Sequence, residues 1–235
     1  MVSDGSEPHI LYLNGSEVPL SVRRNRRARH LTLHVDHASG AVCLVLPRRA
    51  ALSEGLAFAE ERAEWLRRQL EALPPRQPFR VGGRVPILGD DHVIRHDPDS
   101  RRGVWRENGA IQVSGFVEHV PRRVADYLKR EARSELTTRA HAKAKTVNRT
   151  IAGVTLRDTK SRWGSCSSDR RLNFSWRLIL APEIVLDYVV AHEVAHLVHM
   201  NHGPRFWSLV GRLTDDVAGA RIWLRDQGHG LHRYG

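Results

Sequence analysis

Inside the apolar run Val189-Val190-Ala191-His192-Glu193-Val194-Ala195-His196-Leu197-Val198 stand three side chains able to do chemistry. Residues four apart on a helix share a face, roughly 6 Å apart along the axis at ~1.5 Å per residue, so His192 and His196 can point at one metal ion. Glu193 stands about 100° round the same helix from His192, close enough to hold a water on that ion. Two imidazole ligands and a carboxylate base at this spacing suit a zinc hydrolase. Chance surface histidines fit less well, because burying two histidines and a glutamate without partners on so apolar a helix is costly.

A catalytic zinc site needs a third protein ligand and an open position. No glutamate follows Glu193 in the sequence. His199 shares the helical face but lies roughly 10 Å along the axis from His192, too far when each nitrogen must stand ~2.1 Å from the ion. Asn201 and Gly203-Pro204 are stop and turn signals, so the helix is expected to end after Met200 and His202 to fold back. The spacing from His196 to His202 is that of HExxHxxGxxH sites, with His199 in place of the internal glycine. His202 is the preferred third ligand; Asp215, His229 and His232 are its competitors. The expected centre is one catalytic Zn2+ on His192, His196 and His202. Zinc lowers the pKa of bound water to about 7, and Glu193 would take that water's proton as general base. A cationic or hydrogen-bonding group should face the oxyanion, for which Lys160, Arg162, Tyr188 and Arg205 are candidates.

A second stretch, Thr159-Lys160-Ser161-Arg162-Trp163-Gly164-Ser165-Cys166-Ser167 with Leu172-Asn173-Phe174-Ser175-Trp176, resembles the hairpin before the active-site helix of the YgjP-like zinc metallopeptidases. His192 to Trp207, HEVAHLVHMNHGPRFW, is similar to that family's metal motif, and the resemblance runs from the basic segment Arg23 to Arg29 through Trp223-Leu224. It implies an α+β fold, an N-terminal β-rich region packed on a small zincin-like (minigluzincin) catalytic unit carrying the HExxH helix. It also implies zinc on His192, His196 and His202 with Glu193 as catalytic base, in a peptidase acting on peptides or unfolded protein. The His-Gly-Pro plus aromatic run further resembles SprT-like proteases, which act on proteins crosslinked to DNA.

The elements that must position these residues are legible in outline. Leu31, Leu33 and Val35 alternate, His37-Ala38-Ser39-Gly40 reads as a turn, and Val42 to Leu46 completes a hairpin. Ser53 to about Leu73 reads as one amphipathic helix ending before Pro74-Pro75. Short strands are expected around Arg84 to Leu88, His92 to Arg95, Val104 to Arg106 and Ile111 to Val113. Pro121 to Lys145 carries a helical stripe of Val124, Tyr127, Leu128, Ala132, Leu136 and Ala140. Strands follow at Val154 to Arg157, Trp163 to Ser167 and Leu172 to Trp176, and Pro182 opens the HExxH helix. A boundary near Gly115 to Pro121 divides a β-rich region, 1–117, from the catalytic region, 118–235. No repeat is visible in the sequence.

Composition excludes some classes and leaves others open. The 235 residues suffice to bury a core without staples, and two distant cysteines, Cys43 and Cys166, rule out a disulfide framework and suit the cytoplasm. The acidic start MVSDGSEPHI is unlike a signal peptide. The most apolar window, Leu178 to Leu197, is interrupted by Pro182, Glu183, Asp187 and Glu193, so no membrane span is expected. Net charge is +11, with only four lysines among 37 basic residues. Such a field attracts nucleotides, nucleic acid or acidic surfaces, or else reflects arginines spread over solvated faces. Arg23, Arg24, Arg26, Arg27 and Arg29 are either a phosphate-binding edge or a protected strand edge. Two rivals to the peptidase follow. One is a zinc hydrolase of nucleoside triphosphates, which should show a short pocket with converging arginines. The other is a nucleic-acid-binding module with structural zinc, which would have no use for Glu193.

Overall fold

The structure is a computed structural model that describes residues 9–13, 15–36 and 39–235. Residues 1–8, from which the reading on a signal peptide was drawn, and His37-Ala38 of the expected turn lie outside the described residues. The chain divides into two compact units, Met1–Pro75 and Arg76–Gly235.

In the first unit, β1 (His9–Leu13), β2 (Ser16–Asn25), β3 (Thr32–Val35) and β4 (Val42–Pro47) form a sheet in the order β1-β2-β4-β3. The expected hairpin is β3–β4, antiparallel, with Leu33 opposite Leu44. β2 and β4 run parallel. Leu20, Val42, Leu44 and Leu46 form the core with Ala59 and Leu66 of two helices, α1 (Leu52–Glu61) and α2 (Ala63–Glu71). The single helix expected from Ser53 onward is broken at Arg62, whose φ and ψ of −98° and 12° leave the helical range. In the basic run, the Arg24 guanidinium donates to the carbonyls of Pro47, Arg48 and Ala50, tying the end of β2 to the loop after β4.

The second unit opens with β5 (Arg84–Ile87), β6 (Asp90–His96), β7 (Val104–Glu107) and β8 (Ala110–Val113), in the order β5-β6-β8-β7. Asn108 and Gly109, with φ of 50° and 68°, make the tight turn that joins β7 to β8. Val85, Ile87, Ile94, Ile111 and Val113 share one core with Val124, Leu128, Leu136 and Ala140 of α3 (Val120–Thr146). Through that shared core, the sheet β5–β8 belongs to the same compact unit as α3. The stripe read from the sequence is the buried face of α3.

β9 (Gly153–Arg157), β10 (Gly164–Cys166) and β11 (Arg171–Ser175) form a three-stranded sheet ordered β10-β11-β9. A 3-10 turn, Trp176–Leu180, leads into α4 (Glu183–Ala195), followed by α5 (Pro204–Leu213), α6 (Val217–Asp226) and a second 3-10 turn, Gly228–Arg233. Sheets and helices together make the fold α+β, as expected. Among the described residues no helix is long and apolar enough to cross a membrane.

Candidate metal centre

α4 is apolar nearly all round, with Val185, Leu186, Val189, Val190, Val194 and Ala195 buried, so it is a core helix that can hold side chains rigidly. Its regular part stops at Ala195, with His196 as C-cap, several residues before the stop expected after Met200. The helix closes by tightening: Val198 N–H donates to the Ala195 carbonyl, as does His199 N–H. His196 Nδ1 lies 3.2 Å from the His199 carbonyl, so His199 enters the site through its backbone and not its ring. Pinning Nδ1 to a carbonyl leaves Nε2 of His196 with a free lone pair.

The early stop lets the chain double back. Gly203 N–H donates to the Asn201 carbonyl, and α5 begins at Pro204. His202 is thereby placed with its Nε2 3.0 Å from His192 Nε2. One donor atom from each of His192, His196 and His202 lies within 4.8 Å of the others. Phe206, fully buried, is the floor beneath them: its ring centroid is 4.9, 4.6 and 4.7 Å from those of His192, His196 and His202. Trp207 closes the side at 5.8 Å from His192 and His202.

Glu193, next to His192 on the helix, lies against β10. A Cβ on Gly164 would fall 2.6 Å from Glu193 Oε1 and 2.7 Å from its Cγ. Only glycine leaves room for the carboxylate there. β10 pairs with β11 on one side and is the edge of its sheet. The strand is braced from behind: Trp163 stacks on His232 at 5.2 Å. Arg177 grips both Asp158 carboxylate oxygens and donates to the carbonyls of Leu231 and Tyr234.

The sequence profile of the YgjP-like metallopeptidase domain matches residues 29–227, which include every residue of this cluster. The chain belongs to the YgjP-like metallopeptidase family. No curated protein and no solved structure matches it. Membership makes the chain a metallopeptidase in the broad sense, a hydrolase that works with a metal ion.

The YgjP-like cluster suits a divalent cation on its own chemistry. Two imidazole nitrogens 3.0 Å apart bring lone pairs together, an arrangement that a shared cation satisfies. His192 Nδ1 is buried with no hydrogen-bond partner among the described residues. Burial, and then the neighbouring charges of His196, His202 and Arg221, push the His192 pKa down to about 4. Burial also lowers that of His196. Both rings therefore favour the neutral form that binds metal. Burial pushes Glu193 up to about 7, against the opposing charge of Arg162, a range suited to a proton carrier near neutrality.

The competitors for the third position lie elsewhere. Asp215 lines a cavity beside Lys143, His232 stacks on Trp163, and neither these nor His229 joins the cluster. Cys166 is also outside it; burial, and then the charge of Glu193, push its thiol up to about 11. Of the oxyanion candidates, Arg162 is near enough for its charge to reach Glu193, and Tyr188 packs edge-on against His192. Arg205 lines a cavity with Val198, His199, Met200, Asn201, Gly203, Pro204 and Phe206. Gly164 and the floor role of Phe206 were missed in the sequence; a glycine inside a short strand beside the motif was the available signal.

Proposed function

We propose that the chain is a zinc-dependent metallopeptidase, with His192, His196 and His202 holding one Zn2+ and Glu193 as catalytic base. The observation that supports this most is the convergence of three imidazoles beside a buried carboxylate seated against a free-edged strand. A zinc ion there would polarise the scissile carbonyl and acidify water. An extended peptide can add to the free edge of β10 through backbone hydrogen bonds, which would carry its carbonyl past Glu193. Glu193 would then take a proton from the attacking water on a carboxylate oxygen and deliver it to the leaving amide nitrogen as the C–N bond breaks. The free thiols of Cys43 and Cys166 suit a reducing compartment, so the proposed substrates are cytoplasmic peptides or unfolded chains.

A second reading has its own observation. Arg157 and Arg162 line a cavity that adjoins Gly164, and arginines can hold phosphates bidentately, as hydrolysis of nucleoside triphosphates would require. The test sets zinc-loaded parent and Glu193→Gln protein side by side on unfolded casein and on a nucleoside triphosphate panel. Casein cleavage by the parent, reduced about 10²–10⁴-fold in the variant, is the expected result. Release of phosphate or pyrophosphate by the parent, with casein intact, would transfer the assignment to the second reading.

A further inference from the structure

β10 and β11 turn Gly164, Cys166, Leu172 and Phe174 towards α4, because paired residues share a face and successive residues alternate. Ser165, Asn173 and Arg157 therefore belong to the opposite, outward face. Beside these outward residues lies a cavity of about 250 Å3 lined by Arg157, Thr159, Arg162, Ser165 and Asn173, together with Gly164 and Phe174. Asn173 Nδ2 donates to Ser165 Oγ, and the Thr159 hydroxyl donates to the Arg162 carbonyl, fixing the loop that carries Arg162. Among the described residues no carboxylate pairs with the Arg157 or Arg162 guanidinium. The nearby Asp158 is taken up by Arg177. Arg157 also lines a neighbouring cavity of about 370 Å3 together with Lys129, Arg130 and Arg133 of α3, whose wall also holds Asp158 and Trp176. A basic strip thus leads away from the reaction centre, with Arg162 at its near end.

We propose that this outward cavity is a specificity subsite that takes an acidic side chain of the peptide substrate, so that the enzyme prefers segments containing aspartate or glutamate. The inference rests on the peptidase reading above. A peptide laid along the free edge of β10 alternates its side chains between the α4 side, where Glu193 stands, and the outward side, where the two guanidinium groups wait. A carboxylate there gains charge-assisted hydrogen bonds from donors that otherwise face solvent. Size favours a side chain over a nucleotide: about 250 Å3 is below the ~300–1,000 Å3 of drug-sized ligand sites. The one aromatic residue in the wall, Phe174, is 1% exposed and gives a base no ring face to stack on.

The test measures binding separately from cleavage. Zinc-loaded Glu193→Gln protein is titrated with two labelled ten-residue peptides, one carrying three glutamates and the other glutamines at the same positions, and fluorescence anisotropy is read. The acidic peptide is expected to bind about tenfold more tightly, the value of one charged hydrogen bond. That ratio should collapse when Arg157→Gln or Arg162→Gln is added, and be partly kept by Arg157→Lys, whose point charge lacks the fork. Equal affinities for the two peptides, or a preference that survives both arginine variants, would overturn the subsite. So would displacement of the acidic peptide by a nucleoside triphosphate that binds tighter in an Arg157-dependent way. Parent protein incubated with the same peptides reports on the peptidase reading: arginine-dependent binding without cleavage keeps the subsite and removes that reading.

Discussion

At the scale of single residues, the site depends on contacts as small as one methyl group. Gly164→Ala places a carbon 2.6 Å from Glu193 Oε1, and Glu193 is buried with little room to retreat. The variant is expected to keep its metal and lose turnover at least tenfold; parental turnover would show that Glu193 does not work from this position. His202→Ala should do the reverse, lowering zinc retention measured against a chelator, whereas Glu193→Gln should retain zinc as the parent does. Equal chelator resistance in His202→Ala and parent would remove His202 from the ligand set. The histidine–glutamate spacing was legible in the sequence because two of the imidazoles and the carboxylate sit within one helical turn of each other. Gly164 was not, because what a glycine makes room for arrives from another element.

At the scale of elements, α4, its tightened end and α5 form one device: the early stop at Ala195 brings His202 back, and α5 raises Phe206 under all three rings. Phe206→Ala should cost about 3–5 kcal/mol of folding stability, read by urea denaturation, and should loosen the metal as well. A loss under 1 kcal/mol would mean that the floor is not packed as described. The helix end was misplaced in the sequence because Leu197 and Val198 continue the apolar period, while the closing bonds to Ala195 and the His199 carbonyl leave no compositional mark. The brace behind β10 carries a pH signature. Burial would raise the Asp158 pKa, but the paired Arg177 outweighs it and holds the carboxyl below its ordinary 3.8. A depressed folded-state pKa contributes stability that is present above the unfolded value and lost as pH falls through the folded one. Parent stability should therefore fall more steeply below about pH 4 than that of Asp158→Asn, with acid melts as the measurement. Parallel curves would show that the pair adds nothing.

At the scale of the whole molecule, two sheets share an order and set of directions that no repeat in the sequence announces. β1-β2-β4-β3 and β5-β6-β8-β7 each place a parallel pair at the centre, flanked by antiparallel partners. The strands of β3–β4, β5–β6 and β7–β8 were readable from turn residues and alternation; the β1–β2 hairpin was not read, nor were the parallel pairs, since they join strands separated by a further strand. Every residue of the candidate centre, and the core that holds it, lies in Arg76–Gly235. That segment expressed alone, behind an initiating methionine, is expected to melt cooperatively by circular dichroism and to bind one zinc ion. A molten fragment would show that the first unit is needed for the second to fold. The brace on β10 also sets a timetable. Arg177 is synthesised 54 residues before Leu231 and 57 before Tyr234, whose carbonyls it holds. At about 5–20 residues per second, the strand facing Glu193 is made several seconds before the segment that steadies it. A nascent chain thus carries Glu193 and the histidines of α4 before the C-terminal partners of Arg177 and Trp163 exist.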